Sequence, residues 1–123
     1  MPTYFPENNT PQSADSINRS LQKINGLLAI RGGSITDRSG TIGMPSVSQQ
    51  VAAANENRAY FVFQNISDTT MYVNFDAAAT VDSNSIKVNS NGSITFDSGW
   101  VPRGAVNVIC SIASKKWVAK EGN

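Results

Sequence analysis

"RAYFVFQNISDTTMYVNF", Arg58 to Phe75, decides how this chain is read. Tyr60 and Val62 alternate with Phe61 and Phe63, and aromatic or β-branched residues return from Met71 to Phe75, a period of two that marks strands. Ser67-Asp68-Thr69 lies between the runs, and such side chains bond their own backbone and turn the chain. The stretch therefore predicts an antiparallel hairpin. Its first strand is apolar on both faces, which places it inside the structure or at a subunit contact.

The same pattern continues downstream. "SIKV" and "SITFD" flank Ser90-Asn91-Gly92, and Asn-Gly is a strong hairpin signal because both residues tolerate positive φ. "AVNVICSIA" and "WVAK" surround Ser114-Lys115-Lys116 and predict a third hairpin. Six regularly spaced strands argue for a mainly β chain, a small antiparallel β-sandwich or barrel over residues 51–123. Val47, Gln49 and Val51 alternate with small or polar residues and predict an edge strand between Ser46 and Val51. Cys110 shares a strand face with Val106, Val108 and Ile112 and reads as a small buried hydrophobe. Trp100 and Trp117 are expected to pack in the core or an interface.

Upstream the pattern changes. Residues 1–12, "MPTYFPENNTPQ", hold three prolines and predict an extended arm. Tyr4 and Phe5 in that arm pack on the neighbouring helix or anchor into a partner's pocket. Residues 13–31 predict the one amphipathic helix, capped by Ser13 or Asp15, with Ile17, Leu21, Ile24 and Leu28 on one stripe at coiled-coil spacing. A helix this short is marginal alone in water, so its own β domain, a second copy or a different protein must cover the stripe. Residues 32–50 are rich in Gly, Ser and Thr and predict a flexible linker that spans up to about 60 Å when extended.

Composition narrows the function. A β domain of about 75 residues is marginal alone and gains from disulfides, metals or oligomerisation. Cys110 is the only cysteine and histidine is absent, so an internal disulfide is excluded and a zinc site would need an unusual all-carboxylate set. Oligomerisation is the aid left over. Ten basic and nine acidic residues, evenly spread, give no positive surplus for nucleic acid. The first thirty residues lack a basic region followed by an apolar core, and no run approaches about 18 apolar residues, so neither a signal peptide nor a membrane span is expected. The protein is expected to be made in a cytoplasm.

No cofactor is expected, and the chemistry of catalysis is thin. Without histidine the familiar acyl-transfer triads lack their base. Asp68, Asp76, Asp82 and Asp97 are candidate carboxylates for glycoside hydrolysis, but each lies in or beside a predicted turn, where Asp serves the backbone. Gly32-Gly33 and Gly40-Thr41-Ile42-Gly43 lack the lysine or helix of a phosphate loop.

At "NENRAYFVFQNISD", "MYVNF", "VPRGAVNVIC" and the closing "KEG", the chain resembles small virion structural proteins of tailed bacteriophages. The residues that carry the likeness are Asn55 and Arg58, Asn65, Ser67 and Asp68, Val101 to Val106, and Glu121 with Gly122, over about residues 55–122. Where the pattern calls for a glycine soon after the second strand, this chain has Phe75-Asp76-Ala77-Ala78-Ala79. The resemblance implies a non-enzymatic, multicopy particle component, synthesised in a host cytoplasm and located in the virion. It leaves open capsid decoration, the head-to-tail neck, and tail or fibre attachment. The expected partners are other virion proteins and further copies of the chain, met through Ile17, Leu21, Ile24, Leu28, Tyr4 and Phe5. A carbohydrate-binding module that stacks a host surface glycan on tryptophan is the alternative.

Overall fold

The computed structural model describes residues 17–20 and 33–123. The chain divides into two units, Met1–Gly33 and Ser34–Asn123. In the first, residues 17–20 are helical with exposed side chains.

The second unit is built of nine strands: β1 (Ile35–Asp37), β2 (Gly40–Thr41), β3 (Gln49–Ala52), β4 (Tyr60–Asn65), β5 (Met71–Phe75), β6 (Ile86–Val88), β7 (Ser93–Phe96), β8 (Val106–Cys110) and β9 (Lys116–Gly122). They form two antiparallel sheets. One runs β1-β9-β4-β7, with β2 also on β9, and the other runs β3-β8-β5-β6. The chain is mainly β, as its period-two pattern predicts. Residues read as linker nonetheless supply β1 and β2, and the edge strand expected from Ser46 to Val51 is β3, bulged between Gln50 and Ala52.

The three expected hairpins are corrected. β4 pairs with β9 and β7, whereas β5 pairs with β8 and β6. β6 and β7, on either side of Asn91-Gly92, also lie in different sheets, and so do β8 and β9. Each turn is an arch that carries the chain from one sheet to the other. Asn91 has φ 65° and Gly92 does not share its positive φ, so the turn is not the two-residue type that closes a hairpin.

Arches need something in place of ladder bonds at their base, and Asn65 supplies it. Its side-chain amide donates to the carbonyls of Thr69 at 2.7 Å and Val88 at 3.0 Å, while its Oδ1 accepts from the Ser67 N–H and hydroxyl. One buried residue thereby joins the end of β4 to the end of β6.

Between the sheets, Phe61, Phe63, Trp117 and Ala119 of the first meet Met71, Val73, Val88, Val106, Val108 and Cys110 of the second in one core. Full burial of such side chains contributes about 1.5 to 3 kcal/mol each. Cys110 is buried, as its strand face predicts. Trp117 stacks on Phe63 at 6.2 Å and donates its indole N–H to the Arg38 carbonyl. A Cβ at Gly40 would come within 2.7 Å of that indole, so β2 needs glycine there.

Trp100 is not in the core: it is 73% exposed and meets Phe96 edge-on at 6.2 Å between centroids, which leaves the interface half of its expectation open.

Candidate functional site

The residues singled out between Asn55 and Gly122 meet at one buried charge. Arg58 opens the run into β4 and is fully buried, and Glu121 near the end of β9 is 2% exposed. The Arg58 Nε donates to Glu121 Oε1 at 2.6 Å. Its Nη1 donates to the Pro102 and Gly104 carbonyls, and its Nη2 to that of Ala53. Arg38 holds the second Glu121 oxygen at 3.0 Å. Burial pushes the Glu121 carboxyl up, but its bonds to Arg58 and Arg38 outweigh this and hold it below the usual value. The guanidinium also lies over the Phe61 ring at 5.3 Å. Arg58 is fully buried and bonds Glu121 and three backbone carbonyls, so this is a clasp that fixes the 101–104 loop.

Asn55 continues the clasp outward. Its N–H donates to the Arg103 carbonyl and its amide to Asn123. The departure at Asp76 also has a geometric account: Asp76 has φ 69°, the left-handed region in which glycine costs least. A Cβ on the facing Gly104 would overlap the Asp76 carboxylate, so the glycine of this contact stands on the other loop.

The candidate carboxylates do not form one group. Asp68 follows β4 at one end of the domain, while Asp76, Asp82 and Asp97 follow β5 and β7 at the other. Asp68 is held below its usual pKa by Lys115 at 2.6 Å, and Asp82 by the Thr80 hydroxyl and the Asn84 N–H. Both are fixed as anions near neutral pH, whereas a general acid needs a raised pKa. Among the described residues no group of three or more His, Cys, Asp or Glu is placed to hold a metal, and no helix is long and apolar enough to cross a membrane.

The surface itself carries the more telling chemistry. At one end, the loop after β2 and the loop after β8 run side by side, joined from Ile42 N–H to the Lys115 carbonyl, Ser114 N–H to the Ile42 carbonyl, and Ser46 N–H to the Cys110 carbonyl. The Lys115–Asp68 pair adds the loop after β4. These three loops expose Met44, Val47, Ile66 and Ile112. Ile35, Val81 and Trp100 are exposed at the opposite end. Of these seven, Trp100 alone was expected in a core or interface; Met44 and Ile66 are isolated apolar residues within turn-rich sequence, which is the signal they offered.

Of the residues expected at an interface, Ile17 lies in the helical turn and is 59% exposed. Leu21, Ile24, Leu28, Tyr4 and Phe5 lie outside the described residues. Comparison with known proteins finds no match: no family model fits the chain, and no curated protein or solved structure matches it.

Proposed function

We propose that the chain is a non-enzymatic structural component of a tailed-phage virion. Its β-sandwich serves as a compact brick present in several copies, anchored to neighbouring virion proteins through the N-terminal arm and helix. The observation that carries this reading is the exposure of large apolar side chains at both ends of the domain, Met44, Val47, Ile66 and Ile112 at one and Ile35, Val81 and Trp100 at the other. Exposed apolar groups gathered on loops fit contact with other protein, and two such ends suit a subunit with neighbours on both sides. The exposed Ile17 fits a stripe that a neighbour shelters. Covering its four aliphatic residues would contribute about 1.5 to 3 kcal/mol each before ordering entropy, and several copies add avidity.

Replacing Leu21 and Ile24 together by Asp tests the anchor. The β domain should keep its thermal transition while the protein disappears from purified particles; normal incorporation would overturn the reading.

One observation favours a second reading. Trp100 is 73% open and backed edge-on by Phe96, a geometry that could stack a sugar ring of a host surface glycan. In that case Trp100→Ala abolishes binding to a glycan array with the fold intact. No glycan bound by the parent protein would remove this alternative.

A further inference from the structure

The outer side of β7 is built to pair with another strand. On β4, the Asn65 N–H donates to the Gly92 carbonyl across the β4–β7 ladder. With Phe63 opposite Ile94 and Phe61 opposite Phe96, antiparallel alternation turns the backbone groups of Ile94 and Phe96 toward β4 and those of Ser93 and Thr95 away from it. Among the described residues no strand pairs with that outer side.

The other sheet edges are guarded. β1 carries Asp37, paired with Lys120 at 3.2 Å, and the chain breaks from β1 to β2 at Arg38-Ser39. β3 is bulged, and β6 is three residues long with an exposed Lys87 at its centre. Charges, bulges and shortness are the usual guards against edge pairing. Ser93–Phe96 carries no charge, proline or bulge within its four residues, the nearest charge being Asp97 just after it, and Ile94 and Phe96 are only partly buried.

We propose that β7 pairs antiparallel with β7 of a second copy, about a two-fold axis at Thr95. The sequence is self-complementary in that register. Ile94 falls opposite Phe96 of the second copy in the closer, non-hydrogen-bonded type of pair, with Cα atoms about 4.5 Å apart. Thr95 faces Thr95, and Ser93 faces Asp97, whose outward backbone continues the alternation. Pairing covers the half-open Ile94 and Phe96 on both copies and joins two sheets into one. An unrelated extended peptide would gain the backbone bonds but not the reciprocal Ile–Phe pairs. This inference rests on the edge and not on a virion role. The helix anchor is tested by different residues, so either can fail without the other.

Three variants of the full chain test it, at the two exposed side chains Thr95 and Ser93. Thr95→Lys sets two like charges face to face, and the mass by sedimentation equilibrium should fall by half relative to the parent. Thr95→Cys should form a covalent dimer with oxidised glutathione, because directly paired Cα atoms about 5.5 Å apart lie within disulfide range. Ser93→Cys should not, since four residue steps of about 3.4 Å separate it from its own copy. Circular dichroism confirms that each variant is folded. A parent that stays at the mass of one copy up to its solubility limit overturns the proposal. So does an unchanged mass in Thr95→Lys, or Ser93→Cys cross-linking as fast as folded Thr95→Cys.

Discussion

Arg58 and Glu121 show how much a small domain can ask of one pair of side chains. A guanidinium taken out of water costs several kcal/mol, offset here because its donors reach Glu121 and three carbonyls. Removing one partner leaves the other buried and uncompensated. Glu121→Gln should therefore cost about 3 to 5 kcal/mol in urea unfolding, far more than loss of the exposed Lys120–Asp37 pair. The acid limb follows from the same group. Its folded pKa lies below its unfolded value, so the stability it adds is fully present above the unfolded pKa, about 4.3, and is lost as pH falls through the folded value. Urea midpoints measured downward from pH 6 should decline below about pH 4.5, and the Glu121→Gln variant should show a shallower decline. The positions of this clasp could be picked out along the chain as residues of note. Their meeting could not be, because 63 positions separate the two charged partners and a strand pattern carries no information on which ends converge.

At the level of strands and turns, the period-two pattern located β4, β5, β6, β7, β8 and β9, and the turn residues located the reversals. Which strand lies beside which was not legible. Ser67-Asp68-Thr69 and Asn91-Gly92 say that the chain turns, and the same residues serve a hairpin within one sheet or an arch between two. Asn65 decides between them here. In a hairpin its side chain would lie on a sheet face; in the arch it is buried and bonds the Thr69 and Val88 carbonyls. Asn65→Asp replaces the donating amide with an oxygen facing those two carbonyls. A loss of about 2 to 6 kcal/mol is expected from unfolding curves, at about 1 to 3 kcal/mol for each group left unsatisfied. Asn65→Ser, small enough to admit water, should cost less. Among exposed elements, β7 was legible as a strand but not as an open edge, since edge position depends on the partners that the turns conceal.

Taken whole, the domain reads as a two-sheet body with one buried core and several large apolar side chains exposed on its loops. A mainly β chain was the expectation, and the described residues fit it. Whether Trp100 packs inside or lies open was not legible, because a tryptophan before Val101-Pro102 gives no sign of which way its loop faces. One feature of the topology reaches into biogenesis. β9 sits between β4 and the β1–β2 edge, yet a ribosome makes it after every strand that it touches. Until Lys116–Gly122 emerges, β4 waits without its longest neighbour and the first sheet is in two pieces. Closure of the first sheet is thus deferred until β9 has emerged and is dominated by distant pairings, which makes it slow and leaves sticky intermediates exposed to proteases and chaperones in the meantime.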